Sequence, residues 1–255
     1  MQVIATRLHV APIMKSRSKC LSCGEALRAS DLIPIVSYLT LGGKCRYCKS
    51  VFGVSALVIE TMFGLVFVLL YKLVLAGQPT LLDSFLYLVY YTFLFGALGV
   101  IALYDRAHTY IPVSFLYVYG LLTSLMLIIN FINTHSPLTL LAPVIVALPF
   151  LIIWLVTKGR GLGFGDVLLF LGVGAFFGVN QGLAVLLVAI WTGALYGLYV
   201  KYLGSGRGKT GIALPFVPFI VFAFILVLFT DIDIFFIASK FSYVVSLMNE
   251  LYSLR

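Results

Sequence analysis

Apolar stretches of about the 20 helical residues needed to cross a hydrocarbon core of about 30 Å recur along the chain, and they limit its fold more than any other feature. They fall near Ser55–Leu75, Leu82–Tyr104, Val113–Phe131, Leu138–Val156, Asp166–Val179, Gly182–Tyr202 and Ile212–Phe229. The fifth is short and rich in glycine. A last stretch, Ile234 to Leu251, is apolar but carries Lys240 and Glu250, so it either spans or lies along the interface. With 62% hydrophobic and 10% charged residues the chain is far from the composition of a soluble domain. Only helices or closed barrels satisfy their own backbone in lipid, and these runs lack the alternation of barrel strands. The expected fold is therefore an all-α polytopic membrane protein, a bundle of about seven or eight transmembrane helices. No signal peptide with a cleavage site precedes them.

Cations set the expected orientation, because short loops rich in Lys and Arg stay in the cytoplasm. Arg7, Lys15, Arg17, Lys19, Arg28, Lys44, Arg46 and Lys49 precede the first span, while Arg106, then Lys158 and Arg160, then Lys201, Arg207 and Lys209 fall in alternate loops. The opposite loops hold only Lys72. This places the N-terminal segment and the loops around Asp105 and Asp166 in the cytoplasm. The net charge of +8 follows from topology and attraction to anionic headgroups, and is not a nucleic-acid signal.

The polar N-terminal block, residues 1–50, contains every cysteine: Cys20 and Cys23 in "CLSC", Cys45 and Cys48 in "CRYC". Paired CxxC knuckles can offer four thiolates to a tetrahedral zinc. Disulfides are the alternative, but they rarely persist in a reducing cytoplasm. A block this small buries little core, so a structural zinc would supply much of its folding energy. Residues 51–255 then form the transmembrane domain.

Most acids have plain explanations: Glu25 and Asp31 lie in the polar block, and Asp83, Asp231 and Asp233 in exterior loops. Glu60, Asp105 and Asp166 remain. Asp105 closes the second span ahead of Ile111-Pro112, where proline suits the first turn of a helix. Asp166 opens the fifth span after Gly163-Phe164-Gly165. Singly, Asp166 could be a helix N-cap and Asp105 could pair with Arg106. Together, at span boundaries on one side of the membrane, they form a candidate functional pair. Two carboxylates close together in a partly desolvated site share a proton, so one can activate water while the other protonates the leaving nitrogen. Gly163 and Gly165 allow tight turns and close backbone approach there.

"SKCLSCGEALRASDLIPIVSYLTLGGKCRYCKS", "YDRAHTYIP", "GLGFGDVLL" and "ALPFVPFI" occur in one order, and this ordered set resembles the type IV prepilin peptidases (leader peptidase/N-methyltransferases). These are polytopic GxGD aspartyl proteases. The resemblance implies that Asp105 and Asp166 are the catalytic pair and that Cys20, Cys23, Cys45 and Cys48 form the cytoplasmic four-cysteine insert. It also matches Glu60 to the family's acid at the start of the next span. It implies cleavage of the basic leader of prepilins or pseudopilins at the cytoplasmic face of the inner membrane, after a glycine that precedes an apolar stalk. Many bacterial members then methylate the new N-terminus with S-adenosylmethionine, and the products build type IV pili, type II secretion pseudopili or DNA-uptake fibres. Glu60 is the candidate contributor to methylation; its plain reading is a helix N-terminal acid favoured by the dipole.

The chain departs from the family pattern in three places. "MQVIATRLHV" resembles the segment just after the family's first transmembrane helix. Val113 follows the IP element where Asp is frequent, and Val167-Leu168 follows GFGD where Lys is common. The other reading is a non-catalytic scaffold or an ion or proton transporter using Asp105 and Asp166. It leaves the ordered set of motifs unexplained. Elsewhere His108 reads as an interfacial loop residue rather than a metal ligand, and His9 and His135 have no evident role. Gly172, Gly174 and Gly178 read as sites of close helix packing, and Pro215 and Pro218 as breaks or bends in the seventh span near the active face.

Overall fold

The computed structural model describes residues 19–20, 22–33, 36–51, 55–77, 80–160, 162–202 and 215–240. Helices dominate: α1 (Val36–Leu41), α2 (Ser55–Gly77), α3 (Leu81–His108), α4 (Val113–Thr134), α5 (Pro137–Thr157), α6 (Phe164–Tyr202) and α7 (Val217–Thr230). A short helix, 234–240, follows α7 at an angle of 91°. The chain divides into two compact units, Met1–Gly96 and Ala97–Arg255, the division falling within α3.

Helices α3 to α6 are each long and apolar enough to cross a bilayer, and the chain is a multi-pass membrane protein. The expected spans from Ser55 to Tyr202 correspond to helices α2 to α6, with ends shifted by a few residues. The proposed seventh span starts later than expected, at Val217; residues 212–214 lie outside the described part, as do 241–251. Pro218 sits in the first turn of α7, where a missing N–H costs no hydrogen bond, and Pro215 precedes the helix. Asp83 belongs to the first turn of α3 rather than to a loop. Its backbone N–H donates to Thr80 Oγ1 at 3.1 Å, while the Thr80 hydroxyl donates to Asp83 Oδ2 at 2.6 Å.

In the second unit α6 is central, packed against α4, α5 and α7. It is broken at Gly178, whose φ of 76° and ψ of −167° are open almost only to glycine. The chain reverses there. A Cβ built on Gly182 would lie 3.5 Å from Gly174 Cα, whereas in a straight helix eight residues separate the two by about 12 Å. The fifth and sixth spans of the sequence are thus the two arms of α6. Gly172 and Gly174 are close-packing positions as expected: a Cβ would meet the Tyr119 ring at 2.2 Å and the Ala142 carbonyl oxygen at 2.6 Å. Gly178 is not one, for a Cβ there would meet nothing within 4 Å; its requirement is conformational.

Apolar packing has no hydrophobic contrast with lipid, so close approach and internal hydrogen bonds hold such helices together. The Tyr119 hydroxyl on α4 donates to the Leu169 carbonyl at 3.0 Å, and the Asn130 side-chain amide donates to the Phe176 carbonyl at 3.1 Å. Phe150, Phe170 and Phe216 stack between α5, α6 and the start of α7, with Phe150 and Phe170 centroids 4.3 Å apart.

Candidate active site and cysteine cluster

At the end of α3 and the start of α6 the two acids come together. Asp105 is 7% exposed and Asp166 9%, and with Thr123 they are the buried polar or charged side chains among the described residues. The carboxylates lie within electrostatic reach of each other. Two local features hold them. Asp105 Oδ2 accepts the backbone N–H of Val217 at 3.1 Å, with the Phe216 amide also directed at the carboxylate. The acid thereby caps α7, satisfying amides that a helix start leaves without intrahelical partners. Asp166 is the third residue of α6 rather than its N-cap, and its carboxylate reaches back toward the Gly163 backbone, in the manner of an acid at the third position of a capping box.

The glycines of GFGD divide the work. A Cβ on Gly163 would lie 3.4 Å from Asp166 Oδ2, so this glycine floors the carboxylate. A Cβ on Gly165 would come within 2.7 Å of Ile111 Cδ1 and 3.2 Å of its Cβ. Gly165 thus lets the start of α6 press onto the Ile111-Pro112 element, in which Pro112 is buried and immediately precedes α4. Sequence separation hides this contact, which joins two motifs into one surface.

His108 ends α3, its ring 4.6 Å from Tyr104 and 6.2 Å from Tyr110, and the Tyr104 hydroxyl is hydrogen-bonded to that of Tyr110. Among the described residues His108 joins no cluster of possible metal ligands. His135 occupies the left-handed C-cap of α4, and His9 lies outside the described residues. The amides of Phe216 and Val217 were not singled out by sequence reasoning. Their signal was present: prolines at 215 and 218 mark a helix start, and a helix start needs an acceptor.

The first unit holds the cysteines. The N–H of Gly24 donates to the Cys20 carbonyl at 2.9 Å and that of Lys49 to the Cys45 carbonyl at 3.1 Å; Cys20 N–H to Glu25 and Cys45 N–H to Ser50, both 2.9 Å, close each turn again. Two equivalent knuckles result, each flanked by a β-bridge, Lys19 with Ala26 and Lys44 with Val51. The four Sγ atoms lie within 4.8 Å of one another and form no disulfide. Backbone N–H groups of Cys23 and then Ser22 lower the Cys20 thiol to about 6. The Glu25 backbone favours the Cys23 thiolate, but burial and the neighbouring Cys48 and Cys20 prevail and push Cys23 up to about 11. The Ser50 hydroxyl lowers Cys48. Crowded thiols that resist joint ionisation are a donor set that a soft dication suits. The cluster could hold a metal. Arg46, in the second knuckle, pairs with Asp31 at 2.8 Å.

Glu60 lies in the second turn of α2, past the first turn in which the helix dipole acts.

A model of the bacterial peptidase A24 N-terminal domain matches residues 1–74, and a model of the type IV leader peptidase family matches residues 92–198. A Pseudomonas putida protein named "Prepilin leader peptidase/N-methyltransferase" is 31% identical over 223 residues, covering 84% of this chain and 72% of that protein. The chain belongs to the type IV leader peptidase family. Another relative in this family, of the same printed name, comes from Burkholderia pseudomallei (strain K96243) and is 31% identical over 215 residues, 80% of this chain. The chain spans 64% of that relative's length. The "Type 4 prepilin-like proteins leader peptide-processing enzyme" of Escherichia coli O78:H11 is 30% identical over 210 residues, covering 79% of this chain and 71% of that protein. No solved structure matches the chain significantly.

Proposed function

We propose that this chain is a membrane aspartyl peptidase of the GxGD type that removes the basic leader of type IV prepilins or prepilin-like proteins. The observation that carries this reading is the convergence of two buried acids, Asp105 and Asp166, at adjoining helix ends where GFGD packs on Ile111-Pro112. The family and the relatives' names support the substrate class. Asp105 and Asp166 share one proton; one carboxylate takes a proton from water as it attacks the scissile carbonyl carbon, and the other protonates the departing nitrogen as the C–N bond breaks. The Val217 amide holds Asp105 Oδ2, which orients the carboxyl group for the water. The catalytic step draws on no metal site.

In this proposal residues 1–50 form a cytoplasmic block in which Cys20, Cys23, Cys45 and Cys48 hold a structural zinc, and residues 51–255 form the transmembrane peptidase domain of an inner-membrane protein. Zinc supplies folding energy to the block. The cation distribution supports a cytoplasm-facing site. The relatives' names also support N-methylation of the new N-terminus, with S-adenosylmethionine as the donor and Glu60 orienting the amine through a charge-assisted hydrogen bond. Glu60→Gln should then give processed but largely unmethylated product by mass spectrometry of the mature N-terminus. Full methylation in that variant would return Glu60 to a structural role. The proposal as a whole is tested by co-expression with a prepilin from the same genome: leader loss seen as a gel shift supports it, and an intact precursor overturns it.

A further inference from the structure

The two knuckles of the cysteine cluster are copies of one turn. Cys20, Cys23, Gly24, Glu25 and Ala26 of the first correspond to Cys45, Cys48, Lys49, Ser50 and Val51 of the second. Gly24 and Lys49 both take a left-handed backbone, with φ of 73° and 58°. Glu25 and Ser50 both accept the N–H of the leading cysteine through their carbonyls. Cys20 and Cys45 are buried in each copy, and Cys23 and Cys48 are exposed.

The correspondence breaks at one side chain. Glu25 and Ser50 each direct a backbone N–H at the exposed cysteine of their own knuckle, Cys23 and Cys48. Ser50 adds a hydroxyl. The Cys48 thiol donates to Ser50 Oγ at 3.1 Å, and Cys20 Sγ, from the other knuckle, lies 3.8 Å from the same oxygen. Ser50 itself is half-buried, so its hydroxyl stands where the two knuckles meet. A carboxylate such as that of Glu25 has no proton to give at neutral pH, whereas a hydroxyl accepts from a thiol and donates to a thiolate. By rotating about its C–O bond Ser50 keeps Cys48 as a partner in either state.

We propose that Ser50 is a positioning residue of the metal site: its hydroxyl donates to the Cys48 thiolate and holds that sulfur for a dication bound by all four cysteines. The inference rests on the zinc reading of the cluster. Four thiolates around one dication leave an excess of about two negative charges, and hydrogen bonds from outside the ligand set spread that charge and orient the ligands. Cys48 has the greater need of such a bond than the buried Cys20 and Cys45, because packing does not fix the side chain of an exposed cysteine.

The test measures zinc affinity of the purified full chain by competition with a chromophoric chelator, and cobalt(II) binding by the sulfur-to-metal absorption band. Ser50→Ala should weaken zinc binding about tenfold, the low end of the range for loss of a partner that orients a ligand. The Ser50 carbonyl remains to close the second knuckle in every variant, since its bond to the Cys45 N–H is main-chain. Ser50→Thr, which keeps the hydroxyl, should restore wild-type affinity and cobalt absorption, and Ser50→Val, of the same shape without it, should not. Ser50→Ala protein that binds zinc as tightly as wild type overturns the inference and leaves the zinc reading standing, as do equal losses in the Thr and Val variants. Wild-type protein that binds neither zinc nor cobalt overturns both.

Discussion

The cysteine cluster and the acid pair gather ionisable groups by opposite means. Each cysteine pair is prepared by a turn that closes on itself within a few residues, through Cys20–Glu25 and Cys45–Ser50 hydrogen bonds. The acid pair is only partly framed locally, by the turn of Asp166 back to the Gly163 backbone. Asp105 is held by an amide 112 positions further along the chain, and Asp166 reaches the site only because Gly165 lets α6 press on Ile111. A locally built site survives damage elsewhere, whereas one assembled by helix packing is sensitive to small changes at distant contacts.

The largest effects should come from the acids. Asp105→Asn and Asp166→Asn are each expected to reduce prepilin cleavage by about 10²–10⁴-fold, the usual contribution of a general acid or base, as read by gel shift and N-terminal sequencing. Asn at 105 keeps an oxygen for the Val217 amide, so insertion and melting should change little. Asp105→Ala also removes the cap and should destabilise the protein by about 1 kcal/mol more. Retained zinc in both Asn variants would show that the sites are built separately.

The reverse experiment comes next. Cys45→Ser should abolish zinc retention in metal analysis and raise protease sensitivity between residues 1 and 50. Zinc-free wild-type protein, purified reduced and without chelator, would remove the metal from this picture.

A packing change sharpens the contrast further. Gly165→Ala forces a Cβ against Ile111, and overpacking of this kind costs about 1–3 kcal/mol, so cleavage should fall about tenfold while zinc content stays constant. Ile111→Ala in the same chain should recover much of the loss, a coupling that a double-mutant cycle measures.

The smallest effect concerns pH. The Cys20 thiol stands near 9.0 when unperturbed and at about 6 in the folded knuckle. A depressed value stabilises the fold fully above the unperturbed range, and that contribution disappears as pH falls through about 6. Protons compete with metal for the same thiolates, so zinc release to a chromophoric chelator should steepen on acidification through that region.

These differences explain what the sequence could disclose. CxxC spacing encodes a turn, so the cysteine cluster was readable residue by residue. Span lengths revealed the helices, because bilayer thickness imposes them. Asp105 and Asp166 were recognisable as a pair from motif order, but the Phe216 and Val217 amides were not, since backbone donors carry no residue signature. Where α7 begins was not legible from Pro215 and Pro218, because a proline inside an apolar run looks the same whether the helix is already under way or just starting. Gly178 was read as a packing glycine because sequence does not distinguish a glycine needed for space from one needed for φ.

That residue bears on how the chain enters the membrane. Between Phe164 and Tyr202 the charged residues are Asp166 near one end and Lys201 near the other, and the turn at Gly178 is followed by nothing more polar than Asn180 and Gln181. With no cation at the bend, the insertion machinery meets no retention signal midway. The orienting charges of the two arms of α6 thus sit only at their open end, and a lysine placed beside Gly178 would set the tip of the hairpin against its flanks.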